Sequence, residues 1–255
     1  MKQEISKELL RLEQQHNIKI LYAVESGSRA WGFESTNSDW DVRFIYIHKL
    51  DWYLSIDDRK DSLEEMRPND IDLSGWELRK ALKLFRKSNP PLLEWLNSPI
   101  IYSENYSTAK HLRKLASEYF SPKSCLHHYL NIANANFKDY LQKDSIKVKK
   151  YFYALRPIMA CMWIEQNNAI PPMEFQKLMD AHVENNDLRR EINNLLERKK
   201  SGEELNEEPR IKLLNEFLEE KIGYYNGIVR QYGNIEQPNS NNLNELFRFT
   251  LEEIK

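Results

Sequence analysis

Gly27-Ser28-Arg29-Ala30-Trp31-Gly32, followed by Ser38-Asp39-Trp40-Asp41, is the stretch on which the reading of the fold turns. A small, turn-prone pair precedes two carboxylates on alternate residues. On either side, Ile18 to Glu25 and Asp39 to His48 are rich in apolar and β-branched residues and are predicted to be strands. Ser26 to Ser38 between them contains Gly27, Gly32 and several small polar residues, which predicts a loop or a loop joined to a short helix.

On a strand, Asp39 and Asp41 point to one face, and Trp40 and Val42 point to the other. Two like charges in one cleft are costly unless a cation, hydrogen bonds or a bound proton offsets them. Magnesium suits such a site because it prefers oxygen ligands and also binds substrate phosphates. Asp72, on Ile71-Asp72-Leu73, is the expected third carboxylate; Asp70 shares its side-chain parity and stays open, and Glu25 is a weaker option. This pattern predicts metal-dependent transfer of a nucleoside monophosphate from a nucleoside triphosphate to a hydroxyl, supported by two magnesium ions. Gly27 would permit close backbone approach to phosphate, and Ser28 would offer its hydroxyl and N–H. Arg29 is an additional phosphate contact, with a competing surface role.

Gly27-Ser28 alone is an ordinary turn, and Asp39-Trp40-Asp41 alone is more commonly a solvated pair. Their ordered combination with a downstream Asp strand is more specific. The stretch is neither the longer Lys-Ser/Thr phosphate loop nor the dinucleotide-binding glycine fingerprint.

Working outward, 255 residues can hold one large domain or two modest ones, and a 41% hydrophobic fraction supports a packed core. The formal net charge of -2 gives no whole-chain signal for nucleic acid, while leaving room for a local basic channel. Cys125 and Cys161 have neither metal-ligand nor disulfide-framework spacing and read as buried thiols. With no signal-peptide pattern at Met1 to Leu10 and no apolar run of membrane-spanning length, a cytoplasmic protein is expected.

Glu4 to Gln15 is predicted to be an amphipathic helix, Trp52 to Ile56 and Asn69 to Leu73 strands, Glu77 to Lys87 and Leu92 to Leu96 helices, and Ile100 to Tyr102 extended. From Thr108 onward the chain is predicted mostly helical, with helices over Thr108 to Phe120, Ser124 to Gln142, Lys147 to Asn167, Pro172 to Asp180, Glu184 to Lys200, Glu208 to Ile228 and Ser240 to Glu253. This places a break between residues 1–107, an α/β half, and residues 108–255, a helical half.

Gly27 through Tyr46 resembles the polymerase-beta nucleotidyltransferase superfamily, and is similar in particular to the RlaP-like nucleotidyltransferases associated with RNA repair. Ile71-Asp72-Leu73-Ser74-Gly75-Trp76, Leu78-Arg79-Lys80-Ala81-Leu82, Pro91 through Ile100 and Lys149 through Arg156 carry the resemblance along the chain. It implies an α+β fold, in which a mixed-sheet catalytic module with flanking helices precedes a helical region. It further implies that Gly27 and Ser28 form the nucleotide-binding turn, that Asp39 and Asp41 are the paired catalytic carboxylates, and that Asp72 is the later strand carboxylate. Magnesium, a nucleoside triphosphate and an RNA acceptor follow from the same resemblance; a protein hydroxyl is the alternative acceptor, and a binding module with little turnover the alternative class.

Lys150, Tyr153 and Arg156 have helical spacing that can place them on one face toward a triphosphate or nucleic-acid backbone. From spacing alone, a basic helix end joined to an aromatic core stripe is the commoner outcome; the resemblance is what makes Lys150 and Arg156 functional candidates. Arg79 and Lys80 read as surface or structural residues, Trp95 as core support, and His48, His111, His127 and His128 as weak catalytic candidates.

Overall fold

In β1 (Ile18–Glu25) every residue except Lys19 is buried, as expected of a strand covered on both faces. Before it, α1 (Lys2–His16) lays Ile5, Leu9 and Leu12 on the sheet. Then follow α2 (Gly27–Trp31), β2 (Trp40–His48), α3 (Leu50–Tyr53), β3 (Ser62–Arg67), β4 (Ile71–Glu77), α4 (Leu78–Arg86), α5 (Pro90–Leu96), β5 (Ile101–Ser103) and α6 (Thr108–Tyr119). The computed structural model describes residues 1–203, 207–231 and 238–255.

These five strands form one mixed sheet in the order β3-β4-β2-β1-β5. β2 and β4 run parallel, and the other pairs are antiparallel. The chain is therefore α+β, with helices flanking a mixed sheet, as expected. Val42, Phe44 and Tyr46 of β2 and Ile71 and Leu73 of β4 share a core with α1. Strand alternation then sends Asp41, Arg43, Asp72 and Ser74 to the opposite face. Gly75 is required by that core: a Cβ there would meet the Phe44 ring at 2.1 Å.

Several expected elements change. Trp52 to Ile56 is not a strand; its aromatic residues belong to the helical turn α3. They are held by side-chain packing rather than ladder pairing: Trp52 stacks on His48 at 4.1 Å with 3° between the rings, and Ile56 is fully exposed. β3 was not expected, because Ser-Leu-Glu-Glu-Met-Arg has little apolar patterning; it is an edge strand turned onto β4 through left-handed Asn69 and Asp70. β4 accordingly starts at Ile71, and runs on to Glu77. Asn89 caps α5 through the N–H of Leu92, and Pro90 fits its first turn.

The helical half contains α7 (Pro122–Asn136), a π-helical turn (Phe137–Leu141), β6 (Ser145–Lys147), α8 (Lys150–Asn167), α9 (Phe175–His182), α10 (Asn186–Lys200), β7 (Glu207–Pro209) and α11 (Lys212–Gln231); α12 (Asn241–Glu253) closes the described chain. The helices expected from Lys147 and from Glu208 start later, because Ser145–Lys147 and Glu207–Pro209 pair as a short antiparallel ladder. The helix expected to run to Gln142 ends instead in the π-helical turn.

Two compact units emerge. One comprises Met1–Ala30, Ser38–Tyr119 and the described part of Gln237–Lys255; the other comprises Trp31–Asn37 and the described part of Phe120–Glu236. This division differs from the break expected at 107/108. α6 and α12 fall in the sheet's unit, tied to each other and to α3: the buried hydroxyls of Thr108 and Thr250 lie 3.2 Å apart, Tyr119 donates to the Asn239 carbonyl just before α12, and Phe247 meets Tyr53 of α3 edge-on at 5.0 Å. In the second unit, Phe33 stacks on Phe152 at 4.9 Å and meets Phe175 edge-on, around an α8 buried on most sides.

Candidate active site

The parallel register sets Asp41 directly beside Asp72. Asp70 lies outside the strand in left-handed conformation, exposed, and uses its carbonyl to accept the Trp40 N–H. Of the two open possibilities, Asp72 is thus the carboxylate gathered with Asp41. Asp39 sits one residue before β2 and is exposed.

Arg43, two residues after Asp41 on the same face, joins the pair. Its Nη2 donates to Asp41 Oδ1 and to Asp72 Oδ2, each at 2.8 Å. Its Nη1 donates to the carbonyls of Asp72 at 3.0 Å and Val42 at 3.2 Å. The sequence reading missed this residue, although its parity with Asp41 was available there.

Glu25, at the end of β1, is fully buried behind the carboxylates. Its Oε1 accepts the Asp41 N–H at 2.8 Å and its Oε2 accepts the Tyr102 hydroxyl. Burial pushes its carboxyl up to about 7, against the pull of those two donors. Its position supports the Asp41 backbone rather than forming part of the open carboxylate set.

Gly27 follows immediately, with φ +58°, and a Cβ on it would lie 2.0 Å from Asp41 Oδ2. The Ser26 N–H donates to the Asp41 carbonyl at 2.8 Å, tying the turn to β2. Ser28 is half-buried beside it. Arg29 turns to the protein: its guanidinium donates to the carbonyls of Ser38 and Asp39 at 2.6 and 3.1 Å, and packs 3.6 Å over the Trp40 ring. It buttresses the approach to β2 with the donors a phosphate contact would need.

Burial also raises the Asp41 carboxyl, with Arg43 opposing and the charges of Asp72 and Asp39 reinforcing. Oxygen-only donors under mutual repulsion fit a hard divalent cation such as magnesium. Among the described residues no group of three or more His, Cys, Asp or Glu side chains is already gathered about a metal position. Arg43 holds one oxygen of each strand carboxylate.

In the second unit, Lys150 Nζ lies 4.1 Å from the Tyr140 ring centroid and 5.2 Å from that of Tyr153. Arg156 does not share their surface. It is 3% exposed, donates to the Met173 carbonyl and packs 4.7 Å over the Trp31 ring. Expected as a cofactor contact, it is a buried support, because helix spacing alone does not say how far the core wraps round α8. Lys80 pairs with Asp61 at 2.8 Å, Arg79 lies over the Tyr53 ring, and Trp95 stacks on Trp76.

Asp41 and Asp72 thus stand on adjacent parallel strands of the mixed sheet, beside the Gly27 turn, and the family model that the chain matches is one of the DNA polymerase beta class. The chain belongs to the RNA repair pathway DNA polymerase beta family, RlaP, whose family model matches residues 1–249. The uncharacterized protein YcgL of Bacillus subtilis (strain 168) is 51% identical over 254 residues, spanning 100% of this chain and 98% of that protein. A solved nucleotidyltransferase-like protein from Exiguobacterium sibiricum 255-15 aligns with a TM-score of 0.34 at 15% identity, covering 97% of this chain and 91% of that one. Among the described residues no helix is long and apolar enough to cross a membrane.

Proposed function

We propose that the protein transfers a nucleoside monophosphate from a nucleoside triphosphate to a hydroxyl, with an RNA end as the acceptor and the cytoplasm as its place of work. The observation that carries this reading is the Asp41–Asp72 pair, in register on parallel strands beside Gly27. In the transfer, the acceptor hydroxyl gives up its proton to solvent as its oxygen forms a bond to the α-phosphorus, the bond from that phosphorus to the bridging oxygen breaks, and pyrophosphate leaves. Asp41 and Asp72, joined by Asp39, would hold magnesium. When bound, the metal lowers the pKa of the acceptor hydroxyl and offsets charge on the phosphate oxygens.

The chain's own residues do the positioning. Gly27 leaves its Cβ space to the Asp41 carboxylate, and Ser28 offers its hydroxyl and N–H to a phosphate. Glu25 fixes the backbone of Asp41, and Arg29 fixes that of Ser38 and Asp39. Lys150 is the candidate phosphate or RNA-backbone contact of the second unit. What supports an RNA acceptor is the family description, not the net charge.

The test is pyrophosphate release by purified protein with magnesium and each nucleoside triphosphate, in the presence of mixed RNA ends or of a protein pool. Asp39→Asn, Asp41→Asn and Asp72→Asn run alongside, with circular dichroism to check folding. Release that depends on RNA and is lost in the folded variants supports the reading. Release that depends on protein moves the acceptor to a protein hydroxyl, and nucleotide binding without release moves the function to a binding module.

A further inference from the structure

We propose that Arg43 is a resident counter-ion: it holds Asp41 and Asp72 together before a divalent cation binds, and yields an oxygen of each when the cation arrives. This rests on the reading that those two carboxylates hold the cation.

A single nitrogen, Nη2, contacts both carboxylates at 2.8 Å. Two oxygens gathered by one nitrogen are gathered about a place that a shared cation would also need. Guanidinium and divalent cation repel each other there, so occupancy by one weakens the other. Asp41 and Asp72 lie side by side on adjacent strands, and the Arg43 guanidinium is the cation that donates to both of them. Without that charge, the two strand carboxylates would face each other directly across the Asp41↔Asp72 register.

Arg43 is also built to stay close when displaced. Nη1 is anchored separately on the carbonyls of Asp72 and Val42, so Nη2 can release the carboxylates while the side chain keeps its backbone contacts. The side chain is only 18% exposed, which limits screening of its charge. Arg rather than Lys is required, because the planar fork reaches carboxylates and carbonyls at once. Arg43 is thus a positioning residue with a second consequence: it lowers the affinity of the idle site for free cation.

Manganese serves as the probe. Its binding to wild type, Arg43→Gln and Arg43→Lys is titrated by the electron paramagnetic resonance of free manganese, with and without a non-hydrolysable nucleoside triphosphate. Arg43→Gln is expected to bind about tenfold more tightly than wild type and Arg43→Lys to fall between them. Equal or weaker binding by folded Arg43→Gln overturns the proposal while leaving the metal reading intact. Absence of binding by folded wild type and variants, even with nucleotide, overturns both.

A measurement on wild type decides the matter if the variants do not fold. The guanidinium resonances of isotopically labelled Arg43 are followed as magnesium is added. Faster hydrogen exchange at Nη2 at saturation is expected; unchanged resonances with magnesium bound overturn the proposal.

Discussion

A Cβ atom placed on Gly27 would lie 2.0 Å from Oδ2 of Asp41. The backbone at Gly27 is also left-handed, with φ +58°. The glycine is therefore required twice, once for its conformation and once because the carboxylate occupies the space beside it. Gly27→Ala is expected to cost about 1–2 kcal/mol in backbone strain and to push Asp41 off its position. A displacement on the scale of an ångström at such a carboxylate lowers turnover roughly 100-fold. Pyrophosphate release and urea unfolding measure the two effects separately, and near-normal turnover would remove Asp41 from the chemistry.

Glu25 imposes a direction on the pH dependence of stability. Its carboxyl titrates at about 7 in the fold against an ordinary 4.5. Between those values the folded protein holds a proton that the unfolded chain has released, so this contribution is full below pH 4.5 and is lost as pH rises through 7. His48, lowered by burial to about 4, acts in the opposite sense: it costs stability as pH falls below its ordinary 6.5. Comparison with Glu25→Gln separates them. The variant should lose the part of the decline between pH 4.5 and 7 that wild type shows in excess, read as thermal midpoints across that range.

Arg29 gives a kinetic discrimination. Its bonds to Ser38 and Asp39 and its packing on Trp40 make it a support for the approach to β2. Arg29→Ala should lower kcat about 10-fold and change KM for the nucleoside triphosphate by less than about twofold. A rise in KM at constant kcat would instead identify a phosphate contact.

Arg156→Ala should act on folding. The substitution removes the side chain of a residue that is 3% exposed, together with its bonds to the Met173 carbonyl and its packing on Trp31, and a cost of about 2–3 kcal/mol is expected. Arg156→Lys should recover little of it, since an ammonium cannot reproduce the planar stack. Urea unfolding of the three proteins tests this, and unchanged midpoints would return Arg156 to the list of surface contacts.

The sheet's centre was legible because β1 and β2 are dense in buried apolar residues, and the glycine turn was legible because it lies between them. β3 was not, because Leu63 is its one residue packed on the core, and its other ties are backbone pairing and the distant ion pairs of Glu65 with Arg11 and Arg67 with Glu8, which leave no local pattern. Trp52 and Tyr53 looked like strand residues because large aromatics favour strands, yet their rings pack on His48 and Phe247 from a helical turn. The third carboxylate was ambiguous by parity alone. The parallel register separates Asp72 from Asp70, and pairing between strands some 30 residues apart leaves no local trace. Arg156 shows the same limit: the 3.6-residue period places it on a face without saying whether that face is buried.

The sheet unit is also interrupted in time. Tyr119 of α6 must wait for Asn239, and Thr108 for Thr250, before their bonds can form. About 120 residues are synthesised between the two sides of that closure, which at ~5–20 residues per second takes roughly 6–24 s. A nascent chain stalled short of α12 therefore carries every one of the proposed catalytic carboxylates on a sheet that has not yet been closed, and premature termination there would yield a protein with its chemistry complete and its architecture unfinished.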